Sequence, residues 1–170
     1  QSGSPDLATA VERVLGSRTS QVGKVTDRNG WREAIASDGE ALSAALKSPA
    51  FFQAEYELIV LPQRLKSFEE YAKVRRPGRR VPLNRKARAA VWAVINSYRL
   101  NAGIQGSADF AEVAAISAEV LNESDVRPAD HVLVDEGQDL TPTHWQFLRA
   151  LVSEGEDDLF IAEDSHQRIY

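Results

Sequence analysis

The residues with the most chemical content stand late in the chain, in the run His131-Val-Leu-Val-Asp-Glu-Gly-Gln-Asp139. A short apolar stretch ends abruptly in two adjacent carboxylates. That order anchors the backbone in a strand and lets side chains emerge at its end, as nucleotide hydrolases present a carboxylate to magnesium. In such an arrangement Asp135 holds Mg²⁺, directly or through water, and Glu136 polarises an attacking water. For Asp-Glu alone, an acidic solvated turn after a buried strand is the plain alternative. The following Gly137-Gln138-Asp139 tells against it. A second apolar run, Asp158-Leu-Phe-Ile-Ala162, also ends in acids, Glu163 and Asp164. Asp135, Glu136, Asp139 and Asp164 would together suit a two-metal nuclease or phosphatase. Gln138 and Gln167 fit nucleotide sensing better than metal binding.

The opposite charge is concentrated elsewhere. The formal net charge of -5 conceals eight basic and no acidic residues between Lys73 and Arg88. From Glu119 to Asp164 there are thirteen acidic residues against Arg127 and Arg149 alone. Arg75, Arg76, Arg79 and Arg80 flank Pro77-Gly78, a turn suited to gripping duplex phosphates without reading sequence. The alternatives are a solvated junction, or arginines paired with acids of the same fold. Arg88, among Ala, Val and Trp neighbours, reads as a structural ion-pair partner. His131, His144 and His166 show no metal-ligand spacing, which tells against a zinc site, and the absence of Cys excludes disulfides, thiol catalysis and cysteine metal sites. His144 is expected to face solvent. Trp31, Trp92 and Trp145 read as core or interface residues.

These groups need elements to hold them. At 170 residues, 43% hydrophobic and 26% charged, the chain can build one or two compact domains. No apolar run approaches a membrane span and no signal peptide is evident. Neither a repeat nor a low-complexity segment occurs. Met is absent too, and the opening Gln1-Ser-Gly-Ser reads as processing or excision from something longer. The spacing predicts a helix over Pro5 to Leu15 capped by Ser4, a loop over Gln21 to Gly30, and a helix over Gly39 to Lys47. Phe52, Tyr56, Ile59 and Val60 predict a helix that ends before Pro62. Ser67-Phe-Glu-Glu70 is a capping box opening a short helix to about Lys73. Asn84 caps the next, with Ala87, Val91, Val94, Ile95 and Tyr98 on one face and Gly103 beyond its end. Ser107 to Leu121 repeats the pattern, with Phe110, Val113, Ala114, Ser117, Val120 and Leu121 inward. After Pro128 a strand, a helix opening at Thr141-Pro142 with Trp145, Leu148 and Val152 inward, and a second strand predict a piece of parallel α/β sheet. Ligands of such sheets sit beyond the carboxyl ends of the strands.

Together the two acidic strand ends resemble motifs II and III of the UvrD/Rep/PcrA class of superfamily 1 DNA helicases. Asp135-Glu-Gly-Gln-Asp139 is similar to DExQD. Asp164, Gln167, Ile169 and Tyr170 match the fixed positions of GDxxQxIY, with Glu163 where that family usually has Gly. About 25 residues separate the two, filled by a helix beginning Thr-Pro. Phe52-Gln-Ala-Glu-Tyr-Glu57, Ser67-Phe-Glu-Glu-Tyr71, Arg75-Arg-Pro-Gly-Arg79 and Arg88-Ala-Ala-Val-Trp92 resemble the helical accessory subdomain inserted into that family's first motor domain.

The resemblance implies a mostly α fold with a small parallel α/β portion at its C-terminal end. Residues 1–128 would be the helical insert and 129–170 part of a RecA-like P-loop NTPase domain. It implies a parent that couples ATP hydrolysis, with Mg²⁺, to 3′ to 5′ movement on single strands and to unwinding of DNA. Glu136 and Gln167 would be catalytic, Asp135, Gln138 and Gln167 would meet nucleotide, and Tyr170 would lie beside the single strand. Partners would be single-stranded DNA, the duplex junction and the remaining helicase domains, in a cytoplasmic, nucleoid-associated bacterial setting and with no membrane. A helicase–nuclease relative, or a non-enzymatic DNA-binding or interaction module with degenerate motifs, stands as the alternative. Gly16 and Gly23-Lys24-Val25 do not make a phosphate loop, which needs G-x-x-x-x-G-K-[ST]. With no arginine-finger motif either, the chain alone is expected not to hydrolyse ATP.

Overall fold

A computed structural model describes residues 6–18, 21–26 and 30–163. Among the described residues the chain is mostly helical, with two small parallel sheets. Helix α1 (Leu7–Leu15) is capped by Asp6, whose carboxylate accepts from the Ala8 amide; Ser4 and Pro5 lie outside the described residues. Strand β1 (Lys24–Thr26) occupies part of the expected loop, because residues 107–109 offer it a parallel partner, β2 (Ser107–Asp109).

The helix expected at Gly39 to Lys47 stands one segment earlier, as α2 (Trp31–Asp38). Gly39 ends α2 by donating to the Ile35 carbonyl, and only a 3-10 turn at Ala44–Leu46 follows. Leu42 and Leu46 are buried all the same. Helix α3 (Pro49–Glu55) runs into a π-turn, Tyr56–Val60, that ends before Pro62. The capping box of Ser67 and Glu70 opens α4 (Phe68–Lys73).

Asn84 caps α5 (Arg85–Gln105), which buries Val91, Val94, Ile95 and Tyr98. This helix runs past Gly103, which is buried within it, and stops at left-handed Gly106. Trp31 stacks on Tyr98 at 3.8 Å, stacks also on Phe52 and meets Tyr56 edge-on. Those rings, with Tyr71 stacked on Trp92, form the aromatic centre of the core.

Helix α6 (Phe110–Glu123) starts three residues later than expected, from an Asp109–Glu112 capping box. Its buried face is Glu112, Ala115, Ile116 and Ala118, while Phe110 is exposed. The helix packs against α1 and α7 (Pro142–Leu151). Small residues let both partners approach, so the largest side chains do not mark the inward face. The last part is the expected strand–helix–strand: β3 (Val132–Val134), α7, and β4 (Leu159–Ile161) parallel to β3. On α7 Thr143 and Ala150 are buried, Trp145 and Leu148 half-buried, and Val152 is buried just beyond its end. Gln146 on α7 donates to the Pro62 carbonyl at 3.0 Å, so this unit is keyed to the end of the π-turn.

Candidate functional sites: an acidic strand end and a basic turn

Strand β3 delivers its acids to solvent. Val134 is buried, whereas Asp135 and Glu136 are exposed. The turn after it is tied to the end of β4: the Ala162 amide donates to the Val134 carbonyl at 2.7 Å, and the Gly137 amide to the Ala162 carbonyl at 3.1 Å. A Cβ on Gly137 would stand 2.9 Å from the Ile161 side chain, so glycine is what lets the two strand ends come this close. Glu136 is left-handed at φ 57, which costs a non-glycine residue on the order of 1–2 kcal/mol. Asp135 Oδ1 accepts from the Glu136 amide at 2.9 Å. Gln138 turns its amide nitrogen onto Glu136 Oε2. The structure therefore gathers Asp135, Glu136 and Gln138 into one turn beyond the carboxyl end of a parallel strand. Asp164, Gln167 and Tyr170 lie outside the described residues.

The four expected DNA-binding arginines separate into two kinds. Arg75 and Arg80 are exposed. Arg76 and Arg79 are turned inward onto Glu55, whose side chain is 0% exposed. Arg76 grips that carboxylate with two nitrogens, Nε at 2.5 Å and Nη2 at 2.8 Å, and Arg79 Nε adds a bond at 2.8 Å. The Tyr71 hydroxyl donates to Glu55 Oε1 at 2.7 Å. Burial pushes the Glu55 carboxyl up, but the bonds from Arg76, Tyr71 and Arg79 outweigh it and hold the group below its ordinary value. The same burial and the Glu55 charge push the Tyr71 hydroxyl well up. For Arg76 and Arg79, pairing with an acid of the same fold is the arrangement found.

Arg88 is structural, though among the described residues not through an ion pair: it donates to the Tyr71 and Val74 carbonyls at 2.7 and 2.9 Å and lies over the Tyr71 ring. His144 is half-buried, its Nδ1 accepting from the Thr141 amide at 3.2 Å in a capping box. Trp31 and Trp92 are core residues. Among the described residues no group of three or more His, Cys, Asp or Glu is placed to hold a metal ion, and no helix is long and apolar enough to cross a membrane.

Sequence reasoning passed over two buried acids. Glu55 stands on the same helical face as Phe52, Tyr56 and Ile59, and an acid on an apolar face is a signal that it has a partner. Glu112 completes the Asp109 capping box and also accepts from the Tyr56 hydroxyl at 2.7 Å. Arg99 donates to that same hydroxyl at 2.9 Å and to the Leu65 carbonyl at 2.8 Å. Burial, helped by the nearby Asp109 charge, pushes the Glu112 carboxyl up to about 7.

The family model for the UvrD/REP helicase N-terminal domain matches residues 18–170. No curated protein and no solved structure matches the chain.

Proposed function

This chain belongs to the UvrD/REP helicase N-terminal domain family, and on that premise we propose that it is the part of an ATP-driven DNA motor that carries the accessory insert and the nucleotide-facing acidic turn. Residues 1–128 form the insert, and 129–170 are part of the RecA-like motor domain, the part that carries motifs II and III. The observation that carries this reading is the acidic turn: two exposed carboxylates beyond the carboxyl end of β3, beside the end of a parallel β4. A second feature supports it. Leu133 and Phe160, partners in register, are 81% and 63% exposed, and parallel strands normally have both faces covered. A sheet of this kind suits enlargement by further motor elements.

Within that motor, Asp135 is the magnesium ligand and Glu136 the group that polarises the attacking water, with Gln138 and Gln167 facing nucleotide. Mg²⁺ characteristically takes one or two carboxylates together with phosphate oxygens and water. Asp135 offers one exposed carboxylate of that kind, oriented by the Glu136 amide, so the donor set fits. Bound there with ATP, the ion supplies neutralisation of phosphate charge. Glu136 reaches solvent from a left-handed backbone that sets its direction, and Gln138 fixes its carboxylate. Gln167 relays the nucleotide's state to the DNA, Tyr170 stands by the single strand, and movement runs 3′ to 5′. Arg75 and Arg80 carry the duplex contact.

The test uses the full-length parent and the 170-residue chain side by side. The parent should show DNA-stimulated ATP turnover, and Asp135→Ala should raise the Mg²⁺ concentration it needs. The isolated chain should show none. DNA-stimulated turnover with an unchanged Mg²⁺ dependence in the Asp135 variant would refute the assignment of this turn. Gln167→Ala should lower the ratio of DNA-stimulated to basal turnover more than it weakens DNA binding.

A further inference from the structure

We propose that Glu55 is a positioning residue for the duplex contact: it keeps Arg76 and Arg79 inside the fold and leaves Arg75 and Arg80 as the pair that meets phosphate. The inference rests on the duplex-binding reading given above. Its warrant is the way donors are used in the turn. All three nitrogens of Arg76 are committed to the protein, two to Glu55 and Nη1 to the Val81 carbonyl at 2.6 Å. Arg79 gives Nε to Glu55 and Nη2 to the Phe51 carbonyl at 3.2 Å, and its guanidinium lies over the Phe51 ring at 5.1 Å.

For either arginine to reach a phosphate, Glu55 would lose part of its compensation in the interior, where a carboxylate without partners is heavily penalised. A phosphate in water offers no comparable gain. The clasp also shapes the turn. Arg76 bridges from Glu55 to Val81 across it, and the Gln63 side chain holds the Arg75 carbonyl at 3.4 Å. Gly78, left-handed at φ 74, closes the far end in open space. Arg80 edges an open groove of about 950 Å³ that Phe51, Gly78, Arg79 and Val81 also line. Of the four arginines in this short segment, two are therefore withheld by one buried carboxylate from a neighbouring helix.

The experiment has two arms, both with the 170-residue chain and a short DNA duplex. In the first, the Nε–H resonances of the arginines are followed by NMR as duplex is added to the unaltered protein. Arg75 and Arg80 should shift, while Arg76 and Arg79 should stay in place and exchange slowly. In the second, duplex affinity is titrated against salt. Replacing Arg75 and Arg80 together by Ala should flatten the log–log slope by about 1.8, at about 0.9 per phosphate contact. Glu55→Gln, which removes the charge but keeps the shape, should steepen it by releasing guanidinium to the DNA. The NMR arm needs no variant, so it decides the matter even where Glu55→Gln does not fold.

Duplex-induced shifts at Arg76 or Arg79 would overturn the role of Glu55 while leaving duplex binding standing. So would an unchanged slope in the Arg75, Arg80 double variant, or in a folded Glu55→Gln protein. Absence of duplex binding at low salt would overturn the duplex reading and this inference with it.

Discussion

The basic turn at Arg75 to Arg80 and the acidic turn at Asp135 to Asp139 are both charged segments between elements, but they are held in opposite ways. The basic turn is fixed by side chains: a buried carboxylate takes four donor bonds from Arg76, Arg79 and Tyr71. The acidic turn is fixed by backbone, through amide–carbonyl bonds to the end of β4 and a glycine packed against Ile161. Where side chains do the holding, half of the arginines are consumed, and only Arg75 and Arg80 are left to meet a ligand. Where backbone does it, both carboxylates stay outside the fold. Charge density in a sequence is thus a poor guide to available charge, and the identity of the groups that anchor a loop is a better one.

The largest effect should come from cutting the clasp. Glu55→Ala leaves two guanidiniums without their carboxylate and should cost about 3–5 kcal/mol, measured by urea unfolding. A cost under about 1 kcal/mol would mean the clasp contributes no more than a surface pair does. The pH dependence of the two buried acids sharpens the same contrast. Glu55 has its carboxyl held below its ordinary value of 4.5, so its contribution is full above that value and is lost as pH falls through the folded-state value. Glu112 runs the other way. Raised to about 7 in the folded chain, it binds its proton more tightly there than when unfolded, so stability should fall as pH rises from about 4.5 to 7. Glu112→Gln should flatten that fall in a series of urea midpoints, and an identical pH profile would contradict it.

On the acidic side, Gly137→Ala should cost about 1–3 kcal/mol, since its Cβ would meet Ile161 at 2.9 Å. Unfolding midpoints equal to wild type would show that β4 gives way freely. The smallest effect should come from an ordinary helix cap between the two regions: Asn84→Ala removes the bond to the Ala87 amide and should cost about 1 kcal/mol.

Much of the frame was legible in the residues because local chemistry decides it. The Ser67 box, the Asn84 cap and the break at Pro62 depend on neighbours within a few positions, and the two strands after Pro128 each carry their own apolar run even though they pair across a helix. The misplacements share a different cause. Helix α2 needs Trp31 to stack on Tyr98 of α5, and β1 needs β2, about eighty residues away, so neither is written in its own segment. The inward face of α6 departs from its most apolar stripe because two helices share it and alanines fill the contact. Asp135, Glu136 and Gln138 share one turn because they are near neighbours in the chain, so their grouping is legible from order alone. The division of the arginines is not, since it is decided by Glu55, twenty-one residues before Arg76.

The most direct test of the central claim is a comparison of Glu136→Gln with wild type in the full-length parent. Nucleotide affinity and single-turnover ATP hydrolysis would be measured on the same preparations. If Glu136 polarises the attacking water, the variant should bind nucleotide nearly as wild type does and hydrolyse it about 10²–10⁴-fold more slowly. Hydrolysis at the wild-type rate would contradict the account and return this strand end to the status of a solvated acidic turn.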